Sequence, residues 1–477
     1  MDPAAFLAVD PNALGDRRRA ARLERLVAAL AAAPEASPPA ACGSWAATKA
    51  AYRFWDSAHV TPAAIRAAHA ATTRARAGAE GVVLAIQDTT DLDVSGHPAT
   101  TGVGPLAHPA RRGLLVHSVL AATPAGVPLG LLHQQVWARD AAIPGTRRTR
   151  RRRATADKES QRWRDALAAA QAAAPAPPRV VTVADRAADI FDLFARPRPP
   201  HSDLLIRAAH NRRVDVAPPD PAPPGAAAAA YLWPTVRAAA PLGLLAAAIP
   251  RADGRPARDA TLTVRAAALA LRPPRHHRER AALAPVPVAA VLAAEEAPPA
   301  GVAPIRWLLV TTLPVADLAD AVRCVDWYKR RWLIERYHFV LKRGCRVERL
   351  QLQTADRRER ALATYAVVAA RVLWLTHRAR ADPDAACTVV LARHEWEALS
   401  CAVHRVPTPP AAPPSLRQAV RWIAQLGGFL GRTRDGEPGA QTVWRGLRRL
   451  ADLAAMYRLL HPRLPPPESS DPVLGNA

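Results

Sequence analysis

Two short apolar runs constrain this chain more than any other feature. They are GVVLAI at residues 81–86 and RVVTVA at 179–184, and each is followed within two residues by an aspartate, Asp88 and Asp185. Valine-rich runs of this length read as strands buried on both faces, as in a sheet covered by helices. In a twisted sheet the ends of two such strands can be neighbours, which sets two carboxylates side by side. Like charges at short range are unfavourable unless a cation lies between them, and Mg²⁺ prefers carboxylate oxygens and water. Taken singly, an aspartate after a strand is more often a turn or cap residue.

The surrounding pattern supplies the rest of a sheet. Residues 114–122 and 127–137 read as two further strands with a Pro-Ala-Gly turn between them, 158–174 and 187–195 as helices, and 203–208 as a strand. The order βββ–α–β–α–β predicts an α/β domain with a mixed sheet. Residues 212–305 read as a β-rich insertion of Pro-rich loops and apolar runs, after which a strand at 305–312 leads into a helical stretch over 315–343. Residues 12–70 and 355–461 are mainly helical in pattern. The division expected is a helical N-terminal domain over 1–70, an α/β domain over 71–375 and a helical C-terminal domain over 376–477.

Charge narrows the class of partner. Lys and Arg number 65 against 41 Asp and Glu, a net charge of +24. Such an excess favours a polyanion, either nucleic acid or an anionic membrane face. It is focused: residues 139–164 carry net +7 and residues 323–349 net +6, together 13 of the 24 charges. No apolar run approaches the ~20 residues of a membrane span, and the first residues lack an apolar signal core. The five cysteines are scattered with no CxxC pair, which excludes a disulfide scaffold and a zinc ribbon. The expectation is a soluble cytoplasmic protein that meets nucleic acid.

The second basic segment also carries a pattern. Tyr328, Arg331, Glu335 and Lys342 are spaced 0, +3, +7 and +14. On a continuous helix, at about 100° per residue, they point within roughly 60° of one another. Arg331 and Glu335 alone fit a surface i,i+4 ion pair. The stripe, however, extends two turns further, and Lys342 is one of only 4 lysines in a chain with 61 arginines.

Tyr328-x2-Arg331-x3-Glu335-x6-Lys342 resembles the YREK signature of bacterial cut-and-paste DDE transposases of the insertion-sequence-four family, and the likeness runs through most of the chain. LGDRRRAARL (14–23) and AAYRF (50–54) are similar to the family's N-terminal DNA-binding segment. AIQDTT (85–90), VHSVL (116–120), GLLHQQVWAR (130–139), DKES (157–160), VADRAADI (183–190) and RWLLVTTLPV (306–315) are similar to its core, and LGGF (426–429) with Trp444 to its C-terminal domain.

The resemblance implies an RNase H-like core in which Asp88, Asp185 and Glu335 are the catalytic carboxylates and bind two Mg²⁺ ions, with Mn²⁺ able to substitute. Two such ions roughly 3.5–4 Å apart activate water and stabilise a leaving 3′ oxygen. Arg331 and Lys342 would hold phosphates beside the metals, Tyr328 would hydrogen-bond a phosphate or stack near the strand end, and Trp307 would capture a flipped base. Arg207, His210 and Arg212 follow the strand after which the family presents basic residues to DNA, and the run Arg147–Arg153 would bind phosphate without reading bases. His117 and His133 read as core residues. Gln87 stands where an acidic residue is common, and Leu114-Leu115 where some members carry aromatics. The function implied is a transposase that binds terminal inverted repeats and target DNA as a homodimer, with nicking, hairpin formation and strand transfer at one site. The rivals are an inactive or domesticated DNA-binding descendant and a metal-dependent nuclease without strand transfer. Trp444, Leu447, Leu450, Ala454 and Tyr457 form a helical stripe that reads either as a dimer face or as intramolecular core.

Overall fold

The computed structural model describes residues 6–108, 110–140, 161–173, 178–216, 230–249, 256–277 and 279–462. Packing divides the chain into two compact units, one of residues 73–95 and 103–336 and one of residues 1–72, 96–102 and 337–477. The run Arg147–Arg153 lies outside the described residues.

Twelve strands in the described residues form the first unit's sheet. They are β1 (Val82–Asp93), β2 (Gly104–Pro105), β3 (Arg112–Ala122), β4 (Pro128–Trp137), β5 (Arg179–Ala184), β6 (Ser202–Arg207), β7 (Arg213–Val216), β8 (Ala230–Tyr231), β9 (Pro241–Ile249), β10 (Arg258–Leu271), β11 (Val286–Ala294) and β12 (Arg306–Thr311). Their order is β2-β3-β1-β5-β6-β12-β11-β10-β7-β8, with β4 on β3 and β9 on β10. β1, β5 and β6 run parallel, while β3 and β4 are antiparallel neighbours on the other side of β1. This mixed α/β sheet has the arrangement of an RNase H-like core, and the expected β-rich insertion supplies β7 to β11.

The strand expected to end near Asp88 continues to Asp93. Its first six residues pair with β5 as far as Gln87↔Ala184, and the remainder is held by β3 alone. The apolar run stops where double burial stops. A strand paired on one side and partly exposed needs no such run.

Helices α1 (Arg17–Ala32), α2 (Pro38–Cys42), α3 (Trp45–Asp56) and α4 (Pro62–Gly78) precede the sheet, and α5 (Gln161–Ala173), α6 (Phe191–Ala195), α7 (Leu232–Ala238), α8 (Leu318–Lys329) and α9 (Trp332–Phe339) interrupt or follow it. One face of the sheet packs on α5: Val83, Ala85, Val119 and Val180 meet Ala166 and Ala170. Further along, Ala184, Ile206, Leu308 and Val310 meet Trp163, Leu167, Phe191 and Phe194.

Two expected helices are broken. The one over 187–195 is a 3₁₀ turn, Arg186–Ala188, followed by the short α6. Asp185 caps the turn through Oδ1, which accepts the Ala187 amide at 2.8 Å, and Asp189 ends it with a non-helical ψ of 66°. The one over 315–343 is α8, a turn at Arg330-Arg331, α9 and a π-helical turn, Val340–Gly344. At the break, Arg331 and Ile334 donate to carbonyls three residues back, Tyr328 and Arg331. Arg330 Nε reaches out to the Pro124 carbonyl at 3.0 Å, an anchor in the β3–β4 turn that no local propensity reports.

The second unit is helical. Its centre is α10 (Ala355–Ala381), in which 18 of 27 residues are buried, a burial on every face that marks a core helix rather than an amphipathic one. Trp55 of α3 donates Nε1 to Thr364 Oγ1 at 3.1 Å, Phe6 stacks on Trp374 at 4.8 Å, and Arg360 donates to the Val60 carbonyl. Helices α11 (Arg393–His404), α12 (Leu416–Leu426) and α13 (Ala440–Leu460) complete it. Trp444, Leu447, Leu450 and Ala454 are buried within this chain, so the stripe read as dimer face or core is core for these four residues. Toward the end of α13, Met456, Leu459 and Leu460 are exposed, as are Trp45, Val406 and Leu430 elsewhere in this unit. No helix among the described residues is long and apolar enough to cross a membrane.

Candidate active site

The register of β1 and β5 places the two aspartates. Gln87↔Ala184 is the last paired position of the parallel ladder, so Asp88 and Asp185 are the next residues on neighbouring strands. Alternation puts them on the face of Ile86 and Val183, opposite the α5 core. One oxygen of each is already fixed: Asp88 Oδ1 accepts the Thr89 amide at 2.7 Å, and Asp185 Oδ1 accepts that of Ala187. The Asp88 carboxyl is pushed up to about 6. Burial is the main cause; the Asp185 and Glu335 charges add to it, while the Thr89 amide and Arg331 work against it. Gln87 is fully buried on the other face and does not join the carboxylates.

Arg331 ties the helical segment to this pair. Its Nη2 lies 2.6 Å from Glu335 Oε1, its Nη1 lies 4.0 Å from Asp88 Oδ2, and its side chain is only 10% exposed. Burial opposes the guanidinium charge, but Tyr328, Glu335 and Asp88 outweigh it and hold the group above its ordinary value. Tyr328 is buried beneath, with its ring 6.0 Å from the guanidinium carbon. Thus Asp88, Asp185, Glu335, Arg331 and Tyr328 come together although the helix is broken. Lys342 belongs to the other compact unit, in the π-helical turn, with Nζ 3.4 Å from Glu348.

Among the described residues, no three His, Cys, Asp or Glu side chains close into a ready metal cage. The donor chemistry nonetheless fits a hard divalent ion. All three candidate ligands are carboxylates, and the repulsion that Asp185 and Glu335 exert on Asp88 is the condition a cation relieves.

The remaining candidates divide. Arg207 registers with Leu309, so it shares a sheet face with Trp307 two residues away and, through Leu205↔Val183, with Asp185. Its Nη2 donates to the Arg306 carbonyl at 3.1 Å. Trp307 is half-buried three strands from β1, roughly 14 Å at ~4.8 Å per strand. His210 is exposed on the loop after β6. Arg212 does not stand free on the surface: its guanidinium lies 2.7 Å from the buried Asp189 carboxylate, with a side chain 10% exposed. His117, fully buried, pairs through Nδ1 with Thr89 Oγ1 at 2.8 Å, as a core histidine should.

Two residues of this region escaped sequence analysis. Asp189 was available as the second aspartate of VADRAADI, but nothing local marks it as buried. Trp332, 61% exposed and 5.2 Å from the Arg331 guanidinium, lies off the stripe of Tyr328, Arg331 and Glu335, and nothing in its spacing marks it.

Comparison with known families returns three matches along the chain. Residues 8–60 match a transposase DNA-binding model, residues 138–370 a transposase DDE domain, and residues 367–460 a Tn5 transposase dimerisation domain. The DDE match spans Asp185, Tyr328, Arg331, Glu335 and Lys342, while Asp88 lies ahead of it.

Proposed function

This chain belongs to the DDE transposase family, and on that premise we propose that it binds terminal inverted repeats as a dimer and performs cut-and-paste transposition by strand cleavage, hairpin formation and strand transfer. The observation that carries this reading is that Asp88 in mid-β1 feels the charges of both Asp185, just past β5, and Glu335 of α9.

The three carboxylates are the residues that would hold divalent ions, Mg²⁺ or in its place Mn²⁺. When bound, such ions activate water and stabilise the leaving 3′ oxygen of an in-line displacement. The chain's own residues prepare the site. The Thr89 and Ala187 amides orient the two aspartates before any ligand arrives. Arg331, paired with Glu335 and packed on Tyr328, holds that carboxylate in place, and its guanidinium is the fork assigned to a phosphodiester once DNA is bound. Lys342 supplies a point charge to a second phosphate, and Arg207 and His210 bind the backbone further along the end. The N-terminal helices bind DNA and the C-terminal helices dimerise, with the exposed Met456, Leu459 and Leu460 as the apolar part of that surface. The place of action is the cytoplasm, where bacterial DNA lies.

Trp307 is assigned to the hairpin step. A hairpin strains stacking at its tip, and an aromatic platform recovers about 1–3 kcal/mol per base. The test is a denaturing gel of an end-labelled duplex taken from the inverted repeats flanking the gene. Wild type should nick and then form a hairpin with Mg²⁺ and do neither in EDTA. Trp307→Ala should still nick, with hairpin yield lower by about tenfold or more. Absence of any metal-dependent product would sink the reading, and nicks that never become hairpins would make the protein a nuclease.

A further inference from the structure

The turn after β5 carries a second aspartate for which the proposed chemistry has no use. Asp189 lies four residues beyond Asp185, and its side chain is 1% exposed. Its carboxylate is fully occupied. Oδ2 accepts the amides of Ala209 at 2.8 Å and His210 at 2.9 Å, and Oδ1 accepts Arg212 Nε at 2.8 Å. Arg212 Nη2 lies 2.7 Å from the same oxygen and also donates to the Asp189 carbonyl.

A buried ion pair is poor value as a source of stability, because desolvation of both charges offsets their attraction. What this one specifies is a path for the backbone. All four donors come from residues 209–212, the segment that leaves β6 directly after Arg207. Asp189 and Asp185 stand at the two ends of one 3₁₀ turn, Arg186–Ala188. The same five-residue span therefore presents a candidate metal carboxylate at one end and grips the basic loop at the other.

We infer that Asp189 is a positioning residue: acting through Arg212 and the amides of Ala209 and His210, it sets the loop that bears His210 and follows Arg207 at a fixed offset from the carboxylates, and so fixes which DNA phosphodiester is cut. This rests on the transposase reading for the cleavage itself. Displacement of a reacting group by about 1 Å can lower a rate a hundredfold. Loosening this loop should blur the position of the cut as well as slow it.

The experiment is single-turnover nicking of the full chain on the terminal-repeat duplex, resolved to single nucleotides, with terminal-repeat affinity and thermal midpoint measured alongside. The variants are Asp189→Ala, His210→Ala and their combination. Wild type should cut one phosphodiester. Asp189→Ala should spread cutting over neighbouring phosphodiesters and slow it by about tenfold to a hundredfold. The combination should be no worse than Asp189→Ala alone, since residues acting as a unit are not additive. Asp189→Asn keeps an acceptor for the two backbone amides, so it should recover part of the precision, and it replaces Asp189→Ala in the cycle if that variant does not fold. A folded variant cutting the wild-type bond at the wild-type rate would overturn the inference. So would rate losses that multiply across the cycle, which would show a general structural role. If wild type itself makes no metal-dependent cut, the functional reading has failed. The affinity cycle then decides the positioning role, non-additive losses upholding it and additive losses overturning it.

Discussion

Arg331 shows how one side chain draws carboxylates of separate elements together. It neutralises Glu335 at contact distance and reaches Asp88, whose carboxyl is held up at about 6 by burial and by two neighbouring negative charges. The opposite solution operates across the sheet at His117, where burial comes first and the positive charges of His133 and Arg162 follow, driving the imidazole down to about 3. An unfolded histidine titrates near 6.5, so acid protonates the unfolded chain first and favours it. His117 therefore contributes stability that is present above about 6.5 and is lost as pH falls toward about 3. In urea unfolding across that window, wild-type stability should fall more steeply than that of His117→Gln, by up to about 1.4 kcal/mol per pH unit. Parallel slopes would show that His117 is not held neutral by the fold.

Among the elements, close approach of backbones decides more than propensity does. Gly446 lies inside α13, where alanine is intrinsically better by about 0.5–1 kcal/mol. A Cβ there would overlap the Ile423 carbonyl of α12, and one at Gly427 would overlap the Thr442 carbonyl. Overpacking of a fitted interface costs about 1–3 kcal/mol, so Gly446→Ala should lower the denaturation midpoint against its propensity gain. A midpoint unchanged or raised would mean the helices do not meet there.

The legibility of the elements follows the same division. Strand β5 is readable residue for residue because an apolar run bounded by Asp185 is a local signal. The second half of β1 is not, since only pairing with β3 keeps it a strand. At the break, Arg330 meets a carbonyl some two hundred residues away, and Arg212 is buried against Asp189. Periodicity carries no trace of either. Tyr328, Arg331 and Glu335 were nevertheless found by helical spacing, because turns of nearly helical geometry disturb the angular progression only slightly.

For the molecule as a whole, packing and sequence order do not coincide. The helices at the two ends of the chain form one compact unit around α10, and the sheet forms the other. The boundary between the units falls within α9, immediately after Arg336, so Glu335 belongs to the sheet unit and Lys342 to the helical one. The claim on which the account depends is that Asp88, Asp185 and Glu335 act together as one metal-binding set. The measurement is Mg²⁺-dependent nicking of the terminal-repeat duplex by Asp88→Asn, Asp185→Asn and Glu335→Gln, with duplex binding followed in parallel. Each variant should bind the duplex close to wild type and lose nicking altogether. Near-wild-type nicking by any one of them would remove that residue from the site and contradict the claim.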